Sequence, residues 1–200
     1  LLLALLSAVI ATIIGLLGAI GIDAMKKRGY SVMLGATNIP LLNADIVTGI
    51  ALMLFFVRFI PLGFGSMLIA HITFNIPYVI LSILPKLKQI DVSVYEAARD
   101  LGANSVKAFV KVIIPIIKPG IVSGFMLAMT MSLDDFAVTF FTRGTIGLDT
   151  LSTYIYTDAR KGGLTPELRP LITLMFVGIL ILLIVVNIRN AKNAKNAVQK

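Results

Sequence analysis

The stretch Glu96-Ala97-Ala98-Arg99-Asp100-Leu101-Gly102, followed by Val112-Ile113-Ile114-Pro115, is a polar island in a chain that otherwise consists of apolar segments. Of the 200 residues, 58% are hydrophobic and 14% are charged. Because a soluble domain of this size does not carry that balance, we predict an all-α polytopic membrane protein. A water-soluble segment held between membrane spans is expected to dock onto a partner in the aqueous phase.

Five apolar segments are predicted to cross the membrane. They cover residues 1–22, 31–60, 64–84, 119–141 and 171–188. The second is expected to be interrupted near Pro40 and again near Asp45, since proline removes a backbone donor and the freed carbonyls must face protein or water. We interpret residues 1–188 as a single transmembrane domain, followed by a basic tail at 189–200 that is expected to fray. Because residue 1 already lies inside an apolar run, we also expect a sixth span before it.

The basic residues predict the orientation of these spans. Thirteen of the 18 Lys and Arg residues lie in the segments 23–30, 85–118 and 189–200. The positive-inside rule therefore places these three segments, and the C-terminus, in the cytoplasm. The formal net charge of +8 is explained by this topology, so no nucleic-acid partner is inferred. The chain has no cysteine, which excludes a disulfide framework.

The cytoplasmic segment 85–118 is predicted to form two short helices joined by a turn. Ser93 to Glu96 fits a capping box at the start of the first helix, and Gly102 is suited to end it with a positive φ. Asn104 or Ser105 would cap the second helix, which Pro115 would close. Spacing alone leaves a second interpretation open, in which the segment is an ordinary structured loop that caps the bundle.

The same residues carry a family resemblance. The pattern resembles the EAA motif of type I ABC-importer permeases. It consists of Glu-Ala-Ala, three residues, Gly, nine residues and then Val112-Ile113-Ile114-Pro115. Within that family the chain is most similar to spermidine/putrescine permease subunits. That likeness is carried by residues 44–47, 71–74, 82–87, 96–103 and 131–135.

The resemblance implies a type I importer transmembrane fold and a permease subunit in the bacterial inner membrane that imports polyamines. Its partners would be a second, related permease, two copies of a cytoplasmic ATPase, an extracytoplasmic substrate-binding protein and membrane lipid. The residues implied in ATPase coupling are Glu96, Ala97, Ala98, Gly102 and Pro115. Glu96 has two candidate roles, in the capping box or against a basic group on the ATPase. The chain has no glycine-rich phosphate loop, so ATP and Mg²⁺ are expected on the ATPase and no cofactor or enzymatic activity in this chain.

Three acids inside predicted spans bear on the substrate. Asp45 lies in the interrupted second span, and Asp134 and Asp135 lie late in the fourth. A carboxylate in hydrocarbon costs roughly 3 kcal/mol, so these groups are expected to face a pathway for a cation or to pair with a partner. In the alternative interpretation, one acid caps a helix end or pairs with Arg143 or Arg58. Adjacent helical residues point about 100° apart, so one of Asp134 and Asp135 is expected to face the path.

His71 is the single histidine, and we expect an interhelical hydrogen bond there, with Asn75 in the same polar seam, rather than a metal site.

Two other functions compete with the importer subunit. One is an importer subunit for another small solute or cation, and the other is an ion-coupled secondary transporter that uses the membrane acids. The secondary transporter explains the acids but gives no reason for the cytoplasmic segment. An intramembrane aspartyl protease is disfavoured because neither Asp45 nor Asp134 has a glycine-flanked setting.

Overall fold

The computed structural model describes residues 1–144, 149–161, 166 and 168–198, and every regular element in these ranges is a helix. The prediction of an all-α membrane protein is therefore confirmed. The helices are α1 (Leu2–Asp23), α2 (Lys27–Leu42), α3 (Asp45–Phe59), α4 (Phe64–Lys88), α5 (Val92–Asp100), α6 (Ser105–Ala108), α7 (Ile114–Asp134), α8 (Ala137–Thr142), α9 (Leu151–Arg160) and α10 (Leu168–Val198). A π-helical turn, Phe109–Ile113, joins α6 to α7. Residues up to Leu148 form one compact unit and those from Asp149 form a second.

In the described part of the chain, three helices are long and apolar enough to cross a membrane: Leu2–Asp23, Phe64–Lys88 and the continuous helix Ser105–Asp134. The pair α2 and α3 is also apolar enough when taken together, but its two halves meet at an angle of 104°. This break lies at Asn43 and Ala44, as predicted, whereas Pro40 stays inside α2. In α10 the described apolar stretch, Pro170–Ile181, is shorter than a full span.

The fourth predicted span, 119–141, differs from the helix that is observed. The helix begins earlier, in the polar segment 85–118, and ends at Asp134. Asp135 adopts an extended backbone, with ψ of 126°, and the short helix α8 follows. This break could not be predicted from local sequence, because residues 134–136 contain neither glycine nor proline.

The first unit is built around α1, α4 and α7. Small residues recur at every fourth position of α1 and are buried along its length, at Ser7, Ala11, Gly15 and Ala19. Gly120 and Gly124 of α7 face α4 in the same close manner. Apolar side chains such as Val79, Ile83 and Ile117 fill the core between these helices. Small residues thus allow three helices to pack closely without a hydrophobic driving force from water.

A smaller cluster of buried apolar residues packs α3, α4 and α8 together. Phe56 of α3, Ala70 and Phe74 of α4, and Val138 of α8 are buried together. Ser66 at the start of α4 donates to the carbonyl of Thr142 at the end of α8, at 2.9 Å. These contacts hold the short helix α8 against α3 and α4.

In the second unit, the amide of Thr150 donates to the hydroxyl of Thr153 at 2.9 Å, which fixes the start of α9. Helix α10 continues to Val198, although the tail from Arg189 was expected to fray. That tail lacks Gly and Pro and contains three Ala and three Lys, which favour a helix, beside three Asn, which favour it less. The last two residues of the predicted tail, 199–200, lie outside the described residues.

Candidate coupling segment and acid-lined cavity

Helix α5, the first helix of the polar segment 85–118, begins two residues earlier than the predicted capping box. Asp91 is the N-cap of α5, and its carboxylate accepts a hydrogen bond of 3.0 Å from the amide of Ser93. This bond lowers the pKa of Asp91 below its usual value. The capping box from Ser93 to Glu96 is therefore wrong, because both residues already lie inside the helix. Glu96 is exposed and is not needed for capping.

The turn between the two helices forms as predicted. Gly102 adopts a φ of 84°, a conformation that side chains with a Cβ avoid. The amide of Gly102 donates to the carbonyl of Arg99, and the amide of Ala103 donates to the carbonyl of Ala98. This pair of bonds is a Schellman motif, which closes the C-terminus of a helix. Asn104 then caps α6 by accepting a 2.8 Å hydrogen bond from the amide of Lys107.

Pro115 does not close the second helix, contrary to the prediction. The π-helical turn precedes it, and the amide of Ile114 donates to the carbonyl of Phe109, five residues back. Because this wider turn changes the spacing of backbone groups just before the proline, the helix passes through Pro115 into the membrane span. A single helix thus leads from the polar segment 85–118 into α7.

The segment is anchored to the bundle by apolar contacts on one side. Tyr95, Phe109 and Ile113 pack against the main core. On the other side Glu96, Ala97 and Gly102 are exposed, and the side chain of Leu101 is 89% exposed. We call α5, the turn at Gly102 and α6 the knuckle, whose exposed side carries small residues and the apolar side chain of Leu101.

A cavity of about 390 Å³ opens where α7 breaks. Its lining residues are Ala44, Asp45, Ile46, Phe74, Met131, Asp134, Asp135, Phe136 and Ala137. The structure thus brings together the three acids that were predicted to face a pathway. None of the described residues that line the cavity is a Lys or Arg, so its electrostatic field favours a cation.

The two adjacent acids differ sharply in their surroundings. Asp134 is exposed, and it makes no hydrogen bond or ion pair within the described part of the chain. The side chain of Asp135 is 4% exposed. Its carboxylate accepts hydrogen bonds from the amides of Val138 and Thr139, at 3.1 and 2.8 Å, and from the hydroxyl of Thr139 at 2.9 Å. Asp135 thus stabilises the start of α8, as in the alternative interpretation of one acid as a helix cap.

His71 makes the predicted interhelical hydrogen bonds, to two residues that sequence reasoning missed. Its Nδ1 lies 2.6 Å from the hydroxyl of Ser132, and its Nε2 lies 2.9 Å from the hydroxyl of Thr139. Ser132 in turn lies 3.0 Å from the hydroxyl of Ser7 on α1. Thr139 lies one helical turn after Asp135, and this spacing of a hydroxyl from a carboxylate is the sequence signal that could have predicted their hydrogen bond. Asn75 is fully buried, but its side chain finds no hydrogen-bond partner in the described part of the chain, so it does not join the seam.

The family model described as "Binding-protein-dependent transport system inner membrane component" matches residues 11–191. The chain belongs to this permease family. The resemblance to type I ABC-importer permeases, first carried by the EAA motif, is thereby confirmed.

Two curated relatives show how similar the permease is to named transport subunits. It is 41% identical over 172 residues to the spermidine/putrescine transport system permease protein PotC of Haemophilus influenzae, covering 86% of the permease and 66% of that protein. It is 36% identical over 186 residues to the putrescine transport system permease protein PotI of Escherichia coli, covering 86% of the permease and 64% of that protein. The permease spans about two thirds of the length of these relatives.

Two solved structures share the fold of the permease. Inward-facing MetNI, a methionine ABC transporter, superposes with a TM-score of 0.69 at 16% identity, covering 97% of the permease and 90% of that chain. An amino acid ABC transporter superposes with a TM-score of 0.66 at 19% identity, covering 95% and 88% of the two chains. At these identities the comparison concerns the fold, which is that of an ABC-transporter transmembrane domain.

Proposed function

We propose that this chain is the permease subunit of an ATP-driven importer that carries polyamines such as spermidine and putrescine across the cytoplasmic membrane. The observation that carries the proposal is the cavity that holds Asp45, Asp134 and Asp135 without a basic lining residue. A polyamine bears several positive charges at neutral pH, so a site lined by acids suits it. The homology to polyamine permeases supports the same substrate class.

The pathway is assigned to Asp45 and Asp134, which are exposed on the cavity. Asp135 also lines the cavity, but its carboxylate is almost buried and is hydrogen-bonded to α8. One carboxylate from α3 and one from the end of α7 would meet different ammonium groups of an extended polyamine. Because α2 and α3 meet at a sharp break beside the cavity, and α7 ends there, relative motion of these elements would change the access to the site. Alternating access of this kind is the proposed transport mechanism.

Coupling to the ATPase is assigned to the knuckle formed by α5 and α6. Ala97, Ala98 and Gly102 present little side-chain bulk, so a groove on the ATPase can approach the backbone closely. Glu96 is exposed and, being free of a capping role, is assigned to a basic group on the ATPase. Pro115 lies just beyond the π-helical turn, where the projecting helix enters the membrane. ATP and Mg²⁺ are assigned to the ATPase.

The proposed assembly contains this permease, a second related permease, two ATPases and an extracytoplasmic binding protein. From the positive-inside distribution we infer that the knuckle and the C-terminus lie in the cytoplasm. The cavity, at the opposite end of α7 from the knuckle, would then lie toward the outer side, where a binding protein delivers its cargo. Energy supplied at the knuckle would reach the cavity along the single helix from Ser105 to Asp134.

The test is uptake of labelled spermidine by proteoliposomes that contain the complete assembly and its binding protein. We expect uptake that requires ATP, survives an ionophore and is reduced by excess putrescine but not by a neutral amino acid. The control is the same assembly with a hydrolysis-deficient ATPase. Uptake without ATP that collapses with an ionophore would support the secondary transporter instead. ATPase activity stimulated by the binding protein, with no spermidine uptake, would reject the polyamine assignment.

A further inference from the structure

A continuous chain of hydrogen bonds links four helices behind the cavity. It runs from Ser7 on α1 to Ser132 on α7, then to His71 on α4, and from His71 through Thr139 on α8 to Asp135. His71 and Thr139 are 1% and 0% exposed, so no water competes for these bonds. Buried polar groups that are fully paired in this way hold a packing arrangement in place.

The direction of the chain follows from its donors and acceptors. The hydroxyl of Thr139 donates its single hydrogen to a carboxylate oxygen of Asp135, at 2.9 Å. Its oxygen must therefore accept at the His71 contact, so Nε2 of His71 carries a hydrogen. The same Nε2 lies 3.5 Å from that carboxylate oxygen, which adds a favourable electrostatic contact. The imidazole therefore sets the position of Asp135 both directly and through Thr139.

The position of Asp135 in turn decides where Asp134 points. Asp135 is the residue at which α7 ends, and its carboxylate is occupied by two amides and a hydroxyl of α8. If Asp135 were released, α7 could continue or end elsewhere, and the side chain of Asp134 would turn with the backbone. The two adjacent acids thus have separate roles. The carboxylate oxygens of Asp135 accept hydrogen bonds from α8, whereas Asp134 is exposed on the cavity.

We propose that His71 is a positioning residue that, through Thr139, fixes Asp135 at the break between α7 and α8 and thereby holds the carboxylate of Asp134 on the cavity. Asp135 does not contact the substrate in this arrangement. The inference rests on the proposed function in one respect, which is that the cavity receives a cation. It assigns a role to His71 and Thr139, which line no part of the cavity.

The test uses a matched pair of histidine variants. In His71→Gln the side-chain amide can reach the place of Nε2 and donate to Thr139. In His71→Asn it can reach only the place of Nδ1, beside Ser132. Both variants remove the same ring and add the same uncharged polar group, so a general loss of packing would affect both. A role in positioning Asp135 would affect only His71→Asn.

The readout is the direction of Asp134, measured by labelling a single cysteine in the cavity. Because the chain has no cysteine of its own, Met131→Cys, which lines the cavity, gives one reactive thiol in this chain. A cationic and a neutral methanethiosulfonate of similar size are applied to the complete assembly, and modification of this chain is followed by mass spectrometry. A carboxylate close to the thiol should raise the ratio of cationic to neutral rates by about fivefold. Gln89→Cys, exposed at the far end of α4, serves as the control position.

We expect Asp134→Asn and His71→Asn to lower the cationic preference at position 131 to the level that the other acids of the cavity sustain, and His71→Gln to keep it within about twofold of the parent. Thr139→Val should behave as His71→Asn does, and Thr139→Ser should restore the preference. Labelling at position 89 should be unchanged in all variants. A ratio unaffected by His71→Asn, or lowered equally by both histidine variants, would overturn the proposal. Since no polyamine is used, a failure of spermidine transport leaves this result interpretable.

A second readout joins the inference to transport. If His71 acts only by aiming Asp134, His71→Asn should raise the KM for spermidine uptake while Vmax falls less. His71→Gln should leave both close to the parent values. An equal fall of Vmax in the two variants with KM unchanged would contradict the positioning role.

Discussion

Gly15 on α1 faces Val79 on α4 so closely that no β-carbon fits between them. A Cβ placed on Gly15 would lie 2.6 Å from Cγ1 and 2.7 Å from Cβ of Val79. Val79 is fully buried and β-branched, so it has few ways to move aside. The small residues on α1 therefore form the surface on which α4 packs, and they are more than a feature of an apolar helix.

Gly15→Ala should destabilise the permease by about 1 to 3 kcal/mol, because the added methyl group overpacks the contact with Val79. The measurement is thermal unfolding of the purified assembly in detergent. The matched control is Gly21→Ala on the same helix, where nothing lies within 4 Å of the new Cβ. That variant should be neutral or slightly stabilising, since alanine favours a helix more than glycine does. Equal effects at the two positions would contradict the close approach of α1 and α4.

Gly102→Ala should weaken binding of the ATPase, because the φ of 84° costs a residue with a Cβ about 1 kcal/mol or more. Nothing lies within 4 Å of that Cβ, so the effect would come from the backbone and not from a clash. Gly102→Asn should retain more binding, since asparagine tolerates a positive φ better than alanine does. The measurement is the share of ATPase that stays with the permease during size-exclusion chromatography. Similar losses for alanine and asparagine would show that the backbone conformation is not the cause.

Leu101→Ser should lower the affinity for the ATPase about tenfold, which corresponds to roughly 1.4 kcal/mol. The reason is that its side chain is 89% exposed at the tip of the knuckle and is suited to fill an apolar pocket on the partner. Leu42→Ser is the matched control, because Leu42 is 88% exposed but lies at the break between α2 and α3. Titration of labelled ATPase into the reconstituted permease pair measures both. If the two substitutions weakened binding equally, the knuckle would not be the docking site.

Asp91→Ala should loosen the first turn of α5, whereas Asp91→Ser should preserve it, because serine can also cap the helix. Hydrogen exchange of residues 92–95 is the measurement. The hydrogen bond from the amide of Ser93 lowers the pKa of Asp91. The carboxylate therefore stabilises α5 above the ordinary carboxyl pKa of about 3.9, and this contribution is lost as the pH falls through the lower, folded-state value. Unchanged protection in Asp91→Ala would contradict the capping role.

The sequence predicted the features that depend on a few neighbouring residues. The turn at Gly102 and a cap at Asn104 or Ser105 follow from local backbone chemistry, and the structure forms the turn and uses Asn104 as the cap. The glutamate three residues after Ser93 predicts a capping box there, but Asp91, two residues before Ser93, is the N-cap in the structure. Local pattern alone does not rank two capping residues that lie this close together.

Features that depend on tertiary contacts could not be predicted in the same way. Helix α7 ends at Asp135 because His71 and Thr139, which are distant or follow later in the chain, pair with its carboxylate. The passage of the helix through Pro115 likewise depends on a π-helical turn that no local propensity signals. The sequence thus predicted that the three acids matter for function. The structure shows that Asp134 is exposed on the cavity, whereas the carboxylate of Asp135 is bonded to α8.

The most direct test of the whole account is ATP-driven spermidine uptake by the complete assembly with Asp134→Asn, Asp134→Glu and the parent permease. Asp134 is exposed on the cavity, and its role there depends on charge. We expect Asp134→Asn to lower uptake efficiency at least about tenfold, through a raised KM, and Asp134→Glu to retain a much larger share. Uptake by Asp134→Asn equal to that of the parent, in an assembly that still binds and hydrolyses ATP normally, would contradict the claim that this acid meets the cation.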